Sequence, residues 1–104
     1  MQRGRLDDLQ AFVAVARERS FTKAAARLGV SQSALSHTIR ELEERLGVRL
    51  LSRTTRSVSP TEAGERLLHN IGPRFDEIEA EVAAVTELRQ KPAGTIRKIG
   101  RAHV

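Results

Sequence analysis

The chain has no cysteine, tryptophan or tyrosine, and three phenylalanines supply all its aromatic side chains. Without cysteine there is no disulfide and no thiolate metal site, and three scattered histidines cannot by themselves build a zinc site. No metal and no cofactor are therefore expected. A core must be assembled from Leu, Val, Ile, Ala and the few Phe, which favours compact helices over a sandwich. Long apolar runs are also missing. The opening MQRGRLDDLQ passes directly into an amphipathic pattern, so neither an ordinary signal peptide nor a membrane span is expected, and the chain reads as cytosolic. A length of 104 residues accommodates one small domain and one appended element, with no room for a separate ligand-binding domain.

What is abundant is positive charge, unevenly placed. Residues 1–60 carry eleven Lys and Arg against six Asp and Glu, residues 61–91 four against seven, and residues 92–104 three against none. No acid lies between Glu18 and Glu41, a stretch holding Lys23, Arg27 and Arg40, and none lies between Glu44 and Glu62, where Arg45, Arg49, Arg53 and Arg56 fall. Such acid-free windows suit a surface that faces phosphates, because a nearby carboxylate costs Coulomb energy. A generic solvated basic face is the alternative.

Leu6, Leu9, Phe12, Val13 and Ala16 recur at helical spacing and predict a first helix ending near Arg19. Ser20 is a candidate N-cap for a short second helix that buries Ala24, Ala25 and Leu28 and stops at Gly29, with Phe21 as an apolar anchor. Ser31 is placed to cap a third helix whose stripe is Leu35, Ile39, Leu42 and Leu46, ended by Gly47. The opposite face carries Gln32, Ser33, Ser36, His37 and Arg40. Two helices joined by a tight glycine turn, the second with a polar to basic outer face, form a helix-turn-helix arrangement.

VRLLSRTTRSVS, from Val48 to Ser59, is rich in β-branched residues and arginine and reads as a two-stranded hairpin with Thr54 and Thr55 near its tip. A long helix then begins, capped either by Ser59 with Pro60 in its first position or by Thr61. Leu67, Ile71, Phe75, Ile78, Val82, Val85 and Leu88 repeat close to a heptad seam along it, and Pro73 is expected to kink the helix without ending it. About thirty residues make a helix of about 45 Å, too long for so small a domain to cover, so part of the seam is expected to meet another chain. The expected organisation is a DNA-binding domain at 1–60, a dimerisation helix at 61–91 and a linker remnant with a non-native tail at 92–104. In that tail Thr95, Ile96 and Arg97 read as the opening of a strand. IGRAHV, at the end, also matches one reading frame of a common sequencing adapter, ATC GGA AGA GCA CAC GTC, which suggests a fragment of a larger gene; a standalone regulator with a basic tail is the alternative.

Gln32, Ser33, Ser36 and His37 occupy the first turns of the third helix. Glutamine can bond adenine through two atoms, serine can bond bases or phosphates, and histidine can donate to guanine N7 or O6. Arg49, Arg53 and Arg56 surround the hairpin, where a guanidinium can follow phosphates or enter a narrow minor groove; Arg56 and Thr55 are stronger candidates than Arg49, and Arg53 could instead pair with Glu44 or Glu62. Thr22, Lys23 and the amides opening the second helix could hold a phosphate, and Ser31 is a further candidate for DNA contact. No catalytic constellation is legible. His37, His69 and His103 fall in different elements, there is no glycine-rich phosphate loop, and Asp7, Asp8 and Glu41 to Glu44 read as helix surface.

Residues 6–68, and with a linker helix residues up to about 91, resemble the N-terminal domain of the LysR family of bacterial regulators. The resemblance is carried by SFTKAAARLGVSQSALS, IRELEERLGVRLL and PTEAG, in that order and closely spaced. It implies a mainly α fold, a winged helix-turn-helix with a two-stranded wing and a long C-terminal dimerisation helix, tetramers at full length, and a small-molecule effector bound by a C-terminal domain that this chain lacks. Base or backbone contact is implied for Gln32, Ser33, Ser36 and His37, and wing contact for Arg56. Ser33 stands where the family often has proline, His37 where arginine is frequent and Leu51 where phenylalanine is common, which implies an altered contact at the first two and repacking at the third. The function expected is sequence-specific binding of double-stranded DNA as a homodimer. A winged-helix module that only associates with other proteins is the competing reading.

Overall fold

The computed structural model describes residues 5–54 and 57–90. Helix α1 spans Arg5–Glu18, α2 Phe21–Leu28 and α3 Gln32–Leu46; strands β1 (Leu51–Arg53) and β2 (Val58–Pro60) form a hairpin, and α4 spans Glu62–Gln90. Thr55, Arg56 and the 92–104 tail with its candidate strand lie outside the described residues.

The local signals determine the helix ends. The Ser20 hydroxyl accepts the Lys23 amide at 3.0 Å and that of Ser31 accepts the Ala34 amide at 3.1 Å, each meeting a donor that the first helical turn leaves unpaired. Gly29 and Gly47 end α2 and α3 in the left-handed region, both at φ 74°. Arg19, between α1 and α2, adopts a positive φ of 52° without being glycine, and its amide still bonds the Val15 carbonyl at 2.8 Å. The start of α4 corrects one of the two expected caps. Pro60 is paired with Leu51 at the end of β2, so Ser59 caps nothing; the Thr61 hydroxyl accepts the Gly64 amide at 3.1 Å and donates to the Arg49 carbonyl at 2.7 Å.

Two compact units divide at Gly72 and Pro73. In the first, α1 packs on α2 and α3, and β2 reaches α1. Phe12, Val15, Ile39, Leu42, Leu50 and Leu51 are the large side chains fully removed from solvent, with Ala24 and Ala25 filling the close approach of α2. The expected stripe of α3 holds at Leu35, Ile39 and Leu42 but not at Leu46, which is 51% exposed, because the helix overruns the small core by one turn. Glu43 is a second correction: it is buried rather than surface. One carboxylate oxygen, Oε2, accepts the amides of Leu50 and Leu51 at 2.8 and 3.1 Å, so it carries the hydrogen bonds that the start of the hairpin cannot make to a third strand.

α4 continues through Pro73 for 29 residues in all. Along its seam Leu67, Ile71 and Phe75 are half-buried, whereas Ile78, Val82, Val85 and Leu88 are at least half exposed.

Candidate nucleic-acid interface

The first two turns of α3 present a polar face held rigid by the buried side of the same helix. Gln32, Ser33, His37 and Arg40 are exposed and Ser36 is half-buried. Three hydrogen-bonded or ion-paired contacts organise this face. Thr22 Oγ1, at the start of α2, donates to Gln32 Oε1 at 3.3 Å, which leaves the Gln32 NH₂ group and a second lone pair on Oε1 for a partner outside the protein. Arg40 Nη1 donates to Ser36 Oγ at 3.3 Å. His37 Nε2 lies 3.4 Å from Glu41 Oε2, one turn further along.

The expected residues fall into neighbouring places. Thr22, Gln32, Ser36 and Arg53 line one groove together with Arg19 and Ser57, so the opening of α2, the opening of α3 and the hairpin meet there. Gln32, Ser33, Ser36 and Arg40 line an adjoining shallow depression. Lys23 is exposed in the first turn of α2. Ser31 is exposed as well; its oxygen is committed to capping α3, while its hydroxyl hydrogen remains available to donate. Thr55 and Arg56 lie outside the described residues. Thr54 is tied to Ser57: its amide bonds the Ser57 carbonyl at 2.9 Å and its hydroxyl accepts the Ser57 amide at 2.9 Å.

Arg53 differs from the other basic residues of the site. Its guanidinium carbon lies 4.7 Å from the centroid of the Phe21 ring, and Nη2 lies 3.9 Å from Glu43 Oε1. Glu44 and Glu62, its expected alternatives, are not its partners. Burial lowers the Arg53 pKa from its ordinary value, Glu43 acts against that shift, and the nearby Arg40 and Arg49 add to it; an arginine so perturbed still keeps its charge. Arg49 is more open to solvent, but its Nε also lies 3.9 Å from Glu43, at Oε2. Arg19 and Glu43 were not legible as site residues. The acid-free window that opens at Arg19 was the available signal for the first; nothing local marked the second.

Among the described residues no group of three or more His, Asp or Glu is placed to hold a metal ion, and no helix is long and apolar enough to cross a membrane.

The family model described as "Bacterial regulatory helix-turn-helix protein, lysR family" matches residues 6–65. The HTH-type transcriptional regulator PgrR of Escherichia coli is 59% identical over 97 residues, covering 93% of this chain and 32% of PgrR. Among solved structures, a complex of the BenM DNA-binding domain with catB site 1 DNA superposes with a TM-score of 0.69 at 35% identity, covering 85% of this chain and 99% of that one. Full-length AphB, a virulence activator of Vibrio cholerae, gives a TM-score of 0.75 at 30% identity over 79% of this chain and 28% of AphB. The chain thus spans about a third of the length of the curated relatives it matches. With its fold, its helix-turn-helix and its sequence in agreement, the chain belongs to the lysR family of bacterial regulatory helix-turn-helix proteins.

Proposed function

We propose that this chain is the DNA-binding part of a LysR-type transcriptional regulator, binding duplex DNA sequence-specifically as a homodimer with α3 in the major groove. The observation that carries the reading is the outer face of α3: Gln32, Ser33, Ser36, His37 and Arg40 are presented side by side on a helix whose other side is locked into the core. A preorganised row of this kind reads base edges, Gln32 by a paired contact to adenine and Ser33, Ser36 and His37 by single hydrogen bonds. Thr22, Lys23 and Ser31 sit at helix openings, where amides and hydroxyls suit phosphate oxygens. Thr55 and Arg56, which fall between the two wing strands in sequence, serve the backbone or the minor groove.

The division of labour places DNA recognition in residues 1–60 and dimerisation in residues 61–91, through Leu67, Ile71, Phe75, Ile78, Val82 and Val85, with 92–104 as a linker remnant. In the whole protein a C-terminal domain would bind a small-molecule effector and tetramers would form, in the cytoplasm. No catalytic role is proposed, in keeping with relatives that are transcriptional regulators.

The half or greater exposure of Ile78, Val82, Val85 and Leu88 favours self-association whether or not DNA is bound, so a protein-association module is the second reading. A titration of the chain with a duplex recovered by in vitro selection from a random library, repeated across salt concentrations, separates the two. DNA binding through several phosphates gives a log K that falls linearly with log salt. A flat response with self-association retained sinks the DNA reading.

A further inference from the structure

Arg53 stands where α2, α3 and the hairpin meet, and every element holds it from a different side. The ring of Phe21 covers one face of its guanidinium at 4.7 Å. Glu43 Oε1 faces Nη2 at 3.9 Å, while Oε2 of the same carboxylate binds the amides of Leu50 and Leu51 just before and at the start of β1. Arg53 Nε and Nη2 are shut away from solvent without a hydrogen-bond partner. These two donors are therefore not presented to a phosphate outside the protein, although the side chain as a whole keeps 26% of its surface exposed. The charge of Arg53 is met from within the protein instead, by a carboxylate and a π face.

We propose that Arg53, held between Phe21 and Glu43, is a positioning residue that sets the wing relative to the recognition helix, and does not itself contact DNA. Arg53 is the last residue of β1 and pairs with Val58 across the hairpin, so anchoring its side chain determines where the paired ends of β1 and β2 sit. Glu43 belongs to α3 and therefore couples that point to the helix that reads the bases. The inference rests on the DNA-binding reading above.

The test uses the full chain, the selected duplex, a scrambled duplex of equal composition, and the variants Arg53→Gln, Arg53→Lys and Glu43→Gln, each shown folded by circular dichroism at the working temperature. Glu43→Gln keeps an oxygen for the two amides and removes the charge. Each variant is expected to lose about tenfold of the preference for the selected duplex, within the worth of one base contact, with the slope of log K against log salt unchanged. The double variant Glu43→Gln/Arg53→Gln should lose no more than either single one, because the residues act as a pair. A loss of global stability alone would weaken both duplexes equally and leave the preference intact, which overturns the proposal. A slope reduced by about one in Arg53→Gln, the signature of a lost phosphate contact, also overturns it, as does full preference in Arg53→Lys. If the parent chain itself shows no preference and no salt dependence, the DNA reading fails first and takes the inference with it. Should Glu43→Gln fail to fold, Arg53→Lys decides between an internal anchor, which needs the planar fork, and a phosphate contact, which a lysine can replace.

Discussion

Gly64, in the first turns of α4, lies directly against the backbone of Leu50: a Cβ added at Gly64 would overlap the Leu50 carbonyl oxygen and stand 3.1 Å from its carbonyl carbon. The same carbonyl accepts the Thr61 amide at 2.9 Å, so the opening of α4 is seated on the residue that leads into the wing. Here glycine is required by proximity and not by backbone angle, which explains the last letter of the PTEAG motif.

Gly64→Ala is accordingly expected to destabilise the fold by about 1–3 kcal/mol, as overpacking a fitted contact does. At an exposed helical position the same change stabilises by about 1 kcal/mol, so the two cases differ in sign. Urea unfolding followed by circular dichroism distinguishes them, and an unchanged or raised midpoint would mean that α4 is not seated on Leu50.

Gln32→Ala and Ser36→Ala should each weaken binding to a selected duplex by about 1–3 kcal/mol while barely changing affinity for scrambled DNA, because base-edge contacts carry discrimination and phosphate contacts do not. Competition titrations with the two duplexes measure this. If Gln32→Ala left the preference intact, α3 would not be the reading element.

His37 is exposed on the same face and faces Glu41 at 3.4 Å. His37→Arg places a permanent, longer cation there, and each added phosphate contact steepens the dependence of log K on log salt by about one. The expected variant binds more tightly at low salt, with that steeper slope. An unaltered slope would place position 37 away from the DNA backbone, leaving base contact or solvent as its environment.

Ile78 is 56% exposed in the part of α4 beyond Pro73, and burying such a side chain is worth about 1.5–3 kcal/mol. Ile78→Glu should therefore weaken self-association far more than folding, giving a monomer that keeps its helical signal. Its affinity for a two-half-site duplex should fall as well, because the second half-site is no longer supplied at high effective concentration. Sedimentation and a DNA titration on the same sample check both points; a variant that stays dimeric would show that the seam does not join two chains.

Much of this molecule was legible without coordinates because the controlling interactions are local. Ser20 and Ser31 cap donors three residues away, Gly29 and Gly47 take a backbone conformation open to few other residues, and the spacing of Leu35, Ile39 and Leu42 names one face of α3 and so, by exclusion, the outward face of Gln32, Ser33 and His37. Glu43, Leu46 and Arg53 were decided by tertiary structure alone. The amides that bury Glu43 come from residues seven and eight positions later, and Phe21 and Arg53, from separate elements, meet only when α2 and the hairpin pack together. Periodicity says which side of a helix faces inward, but not how far the core extends along it, so Leu46 falls outside. It also gives no hint that the Glu43 carboxylate will find its hydrogen bonds at the start of the wing, since that depends on backbone donors whose positions exist only once the chain has folded.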